Sequence, residues 1–143
     1  PFIQAERIMV ECPICSAQNE EILWQNPQLR VIAVHNEANA PAFCRVIWQA
    51  HVAEMTDLAA DERAEIMNAV YRVEAAMRQV FRPAKINLAS WGNVVPHLHW
   101  HVIARFDNDA NFPAPIWAPA QRKAAMTVAD DWPQQVKKLL EAV

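Results

Sequence analysis

The chain has no block of basic residues, no long apolar run and no internal repeat. It has one glycine and three cysteines among its 143 residues. Each shortage excludes something. A formal net charge of −3, with the basic residues dispersed, speaks against a nucleic-acid polymer or an anionic membrane as partner. No apolar run approaches the roughly 20 residues that a helix needs to span a bilayer. Three cysteines do not make a disulfide framework. The segment Pro1 to Arg7 lacks the basic-then-apolar order of a secretory leader. Together these point to a reducing, cytoplasmic setting. No linker divides the chain, so residues 1–143 are expected to form a single domain with a core over about 12–117 and an extension over 118–143. A domain of this size buries about two-thirds of the surface of its unfolded chain, and 53% hydrophobic residues supply the core.

What is present in excess is histidine at one place. His97, His99 and His101 are three of the five histidines, and Leu98, Trp100, Val102 and Ala104 alternate with them. That period predicts a strand with one face in a core. It puts His97, His99, His101 and Arg105 on one face, with the imidazoles roughly 6–7 Å apart. Pro96 suits the first position of such a strand. A row of imidazoles can bind a metal. It can also attack phosphorus, with neighbours orienting the nucleophile and stabilising charge.

The remaining elements follow from periodicity. Short strands are expected at Ile22–Trp24, Leu29–Val34, Phe43–Trp48 and Lys85–Ala89, with a turn over Gln25–Gln28. A helix is expected from about Ala60 to Phe81, because Ile66, Val70, Val73, Met77 and Val80 form one stripe. Pro83 ends it. A short helix with a capping-box-like start follows Asp131, with an apolar face of Val136, Leu139, Leu140 and Val143. The fold class is therefore α+β: a five-stranded antiparallel sheet, one long helix and a short C-terminal helix. Cys44 reads as a small core residue. The sole glycine, Gly92, stands just before the histidines, where a positive φ or a close approach to a ligand would require it; an ordinary hairpin turn would use it too.

Cys12-Pro13-Ile14-Cys15 has the spacing of half a zinc site. Two further ligands are needed, and the histidines outside the cluster are His35 and His51.

His97-Leu98-His99-Trp100-His101-Val102 resembles the signature of the histidine triad (HIT) superfamily of nucleotide hydrolases and nucleotidyl transferases, and the chain agrees with that family from Cys12 to Trp117. The resemblance implies hydrolysis or transfer at the α-phosphate of a nucleotide conjugate, such as a dinucleoside polyphosphate or a nucleoside phosphoramidate. His99 would attack and form a nucleotidyl-imidazole. His101, protonated, would stand beside the phosphate oxygens, and His97 would complete the catalytic row. It also implies a structural zinc on Cys12, Cys15, His51 and His97, no organic cofactor, and a homodimer with the sheets continued across a two-fold axis. For substrate contacts it points to His35, where an Asp or Asn is usual, with Asn36, Asn87, Ser90, Gly92 and Asn93. Val94 stands where the family usually has a hydroxyl. Two other readings remain: a metal-dependent hydrolase whose triad itself holds zinc, and a non-catalytic nucleotide-binding regulatory module.

Overall fold

The computed structural model describes residues 11–142. Its sheet has five strands: β1 (Glu21–Gln25), β2 (Leu29–Ala33), β3 (Phe43–Trp48), β4 (Lys85–Ala89) and β5 (His99–Arg105). The order is β1-β2-β3-β5-β4, and every neighbouring pair is antiparallel. The β1–β2 turn is closed by Asn26, whose Oδ1 accepts the backbone N–H groups of Gln28 and Leu29 at 2.9 Å each, the local bonding that makes Asn a turn former.

The long helix α1 (Ala60–Phe81) follows a 3₁₀ turn at Met55–Asp57. The Glu62 carboxylate accepts the Ala59 N–H at 2.8 Å at its start. Its last turn closes on Arg82, left-handed at φ 46°, whose N–H bonds the Arg78 carbonyl at 3.0 Å. Pro83 follows and bars another helical turn. The buried stripe Ile66, Val70, Val73 and Met77 packs on Val31, Val46, Trp48, Val102 and Ala104 of one sheet face. The short helix α2 (Trp132–Glu141) docks there through Trp132, Val136 and Leu140. Its start differs from the sequence expectation: Asp131 makes no side-chain cap, and its Oδ1 accepts Gln135 Nε2 at 3.0 Å instead. Val143 lies outside the described residues. No described helix is long and apolar enough to cross a membrane.

The opposite face holds a smaller cluster of Ile32, Val34, Phe43, Ile47, Ile103 and Ile116. Ile116 arrives on the segment after β5, which one buried guanidinium shapes. Arg105 donates to both oxygens of Asp109 (2.9 and 3.1 Å), to the Ala114 carbonyl (2.8 Å) and to Asn87 Oδ1 (2.9 Å). Burial alone would raise the Asp109 pKa. Arg105 and the backbone N–H groups of Phe106, Asn111 and Phe112 instead hold it down to about 2. This knot folds the segment across the histidine face and brings Trp117 to within 5.2 Å of the His101 ring.

The strand carrying the histidines is shorter than its alternation predicts. It begins at His99, where pairing with β3 starts opposite Ile47. Just before it, the His97 N–H bonds Val95 and the Leu98 N–H bonds Val52, at 2.8 and 2.7 Å. Those bonds take the backbone out of the ladder, so His97 leaves the row.

Candidate active site and metal centre

His97 faces a different set of neighbours from His99 and His101. Its Nε2 lies 2.6 Å from the Trp48 carbonyl, which can only accept, so Nε2 carries the proton and Nδ1 keeps its lone pair. That Nδ1 is 3.5 Å from Cys12 Sγ, 3.4 Å from Cys15 Sγ and 3.2 Å from His51 Nδ1. Cys15 Sγ is 3.4 Å from His51 Nδ1. All four ligand atoms lie within 4.8 Å of one another, a cluster positioned for a metal ion. Burial is the largest force holding His97 below the usual imidazole range, so the ring is neutral, as a ligand must be. Arg30 ties the loop to the sheet, donating to the Ile14 carbonyl at 3.0 Å, Glu20 at 2.8 Å and Gln49 at 2.6 Å.

His99 and His101 stand in a cleft of about 360 Å³ with Arg45 and Ile47 of β3, Trp91 to Val95, and Trp117. The His99 Nδ1–H donates to the His97 carbonyl. This fixes the tautomer and leaves Nε2 without a proton. Burial, reinforced by the Arg45 charge, keeps the His99 pKa low, so the lone pair is available. His101 meets His99 edge-on, with ring centroids 4.8 Å apart. That is closer than a plain two-residue strand spacing gives, because the rings lean together. Its Nδ1 is buried without a partner among the described residues. Burial, then His99 and Arg45, draw its pKa down to about 3. Burial thus favours the neutral His101 ring in the free protein; the protonated form that the family resemblance implies belongs to the complex with a phosphate.

The fixed positive charge in the cleft belongs to Arg45. It sits opposite His101 in the β3–β5 register, with its guanidinium 5.2 Å from the Phe43 ring centre. Its Nε is buried without a hydrogen-bond partner among the described residues. At the mouth Trp91 and Trp117 stack, with centroids 4.8 Å apart and planes 17° from parallel.

The other candidate residues divide. Gly92, at φ 50°, and Asn93 line the cleft. A Cβ on Gly92 would meet nothing closer than the Val95 carbonyl at 3.7 Å, so it is the backbone conformation that favours glycine here. His35, Asn36, Asn87 and Ser90 do not line the cleft. His35 alternates with Ile32 and Val34 and points to the other side, where it meets Glu21 at 2.9 Å and the Trp132 ring at 6.0 Å. Asn87 is on the histidine side but is engaged by Arg105. Sequence reasoning gave Arg45, Trp91 and Trp117 no role. For Arg45 the signal was a charged residue inside an otherwise apolar strand.

Comparison with known proteins bears on the family and the fold. Over 78 residues the chain is 32% identical to an AP-4-A phosphorylase of Mycobacterium tuberculosis, covering 50% of this chain and 40% of that protein. The chain thus spans less than half the length of that relative. Its fold matches a histidine triad protein from Bradyrhizobium japonicum with TM-score 0.69 and 27% identity, over 87% of this chain and 90% of the other. A Zn-bound histidine triad family protein from Mycobacterium smegmatis matches with TM-score 0.61 at 17% identity, over 94% of each chain. The family model for the HIT domain covers residues 16–108, which begin just after Cys12 and Cys15 and run through the histidine strand, and the chain belongs to the HIT domain family.

Proposed function

We propose that the protein cleaves or transfers at the α-phosphate of a nucleotide conjugate through a covalent nucleotidyl-His99. A dinucleoside polyphosphate or a nucleoside phosphoramidate fits. The observation that carries this is the state of His99: Nδ1 bonded to the His97 carbonyl, and Nε2 deprotonated beside His101 in the cleft. In the first step the Nε2 lone pair forms a bond to phosphorus. The bond to the leaving group breaks with its electron pair, and the leaving group is protonated from solvent. In the second step a water or phosphate oxygen attacks phosphorus and the P–N bond breaks, returning His99 neutral. His101 stays neutral until the phosphate anion arrives, which draws its pKa upward and gives the ring an oxygen to donate to. The relative from M. tuberculosis supports a phosphate-bond substrate of this class.

The metal in the second cluster is zinc. Zn–S near 2.3 Å and Zn–N near 2.0–2.1 Å imply tetrahedral edges of about 3.3 Å for N···N and about 3.6 Å for S···N. The N···N distance is 3.2 Å and three of the four S···N distances are 3.4–3.5 Å, with the whole set within 4.8 Å. Two sulfurs and two imidazoles fill four positions and leave none for substrate, so this is a structural zinc. Burial and the adjacent Cys12 push the Cys15 thiol up to about 11; a bound dication would hold both sulfurs as thiolates. His97 then orients His99 through its carbonyl. A homodimer belongs to the same reading, and a monomeric mass by light scattering would remove it.

Stereochemistry tests the covalent route. With a chiral α-phosphorothioate, two in-line displacements give net retention at phosphorus. Inversion would mean one direct attack by water and would favour a metal-dependent hydrolase.

A further inference from the structure

Building on that nucleotidyl-transfer reading, we propose that Arg45 is the anion anchor of the cleft, gripping the non-bridging phosphoryl oxygens of the substrate beside His99 and His101.

Three observations converge on it. First, the guanidinium is half-buried yet uncommitted: among the described residues it has no hydrogen-bond or ion-pair partner, and its Nε is fully shielded. A charge taken from water without a partner is destabilising, so structural arginines are normally paired. Arg105, one strand away on the same face, is paired in that way with Asp109. Second, the acids nearest Arg45 in charge, Glu37 and then Glu20, favour its charged form without an ion pair or hydrogen bond to it among the described residues, and Glu37 does not line the cleft. Glu20 on the wall is bonded to Arg30 at 2.8 Å. Beyond these charges its support is the Phe43 ring beneath it, a contact that keeps the planar group in place and leaves its N–H edge open. Third, the cleft has little else to hold an anion. Its other polar side chains, Glu20 apart, are the His99 and His101 imidazoles, Asn93 and the indoles of Trp91 and Trp117; no lysine or hydroxyl side chain lines it.

A phosphate monoester or anhydride entering between Ile47, Val95 and Trp117 brings at least one negative charge into apolar walls. The planar fork of an arginine matches two phosphoryl oxygens at once, which a lysine point charge does not. Arg45 faces His101 across the strand pair. The gripped phosphoryl group is thereby presented to the neighbouring His99, with the positive charge on the side where negative charge builds as the P–N bond forms.

The test is calorimetric titration of the full-length, metal-loaded protein with inorganic tripolyphosphate, which carries the anion and no nucleoside. Wild type should bind it. R45M keeps the stem over Phe43 and should bind roughly 10- to 100-fold more weakly, the usual loss for charge-assisted hydrogen bonds. R45K should recover part of that affinity, and it keeps the test sharp should R45M fold poorly. Adenosine, which has no phosphate, should bind wild type and R45M alike. Undiminished tripolyphosphate affinity in R45M, or none in wild type, would overturn the assignment. Failure of the covalent reading would look different: H99A would retain turnover while the tripolyphosphate result stood.

Discussion

His97 and His101 flank His99 and are both buried, yet their surroundings are opposites. His97 has both ring nitrogens committed, one to the Trp48 carbonyl and one to the Cys12, Cys15 and His51 ligand set. His101 has its Nδ1 unpartnered and its ring against the cleft. A histidine with both nitrogens committed is a structural strut. A buried histidine with a nitrogen left over is held, at a cost in stability, for a partner that arrives later. His99 lies between the two: one nitrogen is tied to the strut and the other faces the cleft.

This contrast can be broken by substitution. The largest effect is expected for His99→Ala: turnover of a nucleotide conjugate falls by about 10⁴-fold or more, while metal content and melting temperature stay at wild-type values. Persisting turnover that a chelator then removes would erase the distinction between the two regions. His97→Ala should resemble Cys12→Ser and not His99→Ala. Both should lose metal by elemental analysis and lower the melting temperature by roughly 10 °C. Normal metal content in either variant would show that the cluster is not the site. His101→Ala should lower kcat by about 10²–10³-fold, typical of losing one group that stabilises the transition state, with metal retained.

The smallest effect is a slope. The ordinary imidazole value is 6.5, whereas burial, His99 and Arg45 hold folded His101 at about 3. Between those values the unfolded chain binds the extra proton. Stability from this group is complete above about pH 6.5 and is lost as pH falls toward 3, by at most about 1.4 kcal/mol per pH unit. Denaturant unfolding of His101→Ala between about pH 6 and 4 should therefore show a dependence shallower by about one proton. Equal slopes would mean that His101 is not held neutral by the fold.

Local pattern revealed much of this molecule. The stripe from Ile66 to Met77 marks α1, and the runs Phe43–Trp48 and Lys85–Ala89 coincide with β3 and β4. The four metal-ligand candidates meet as the family resemblance implies. What escaped was set by contacts between segments far apart in the chain. The alternation from His97 to Arg105 continues through a point where Val52 and Val95 take over the backbone bonds, and no period announces that. His35 follows the β2 alternation to the far side of the sheet, which a positional match to a family site does not reveal. Trp117 reaches the cleft because Arg105 and Asp109 fold the intervening segment, a long-range tie without a local signature.

The stacked indoles of Trp91 and Trp117 give the cleft an optical property of its own. At 4.8 Å and nearly parallel, their transition dipoles couple, whereas the other four tryptophans show no such Trp–Trp partner among the described residues. Coupled indoles give a paired positive and negative band in circular dichroism that isolated indoles lack. Any occupant that wedges between them or turns one aside would collapse the pair. Entry into the cleft could thus be followed in unlabelled protein from the signal of two residues that lie outside the metal-ligand cluster.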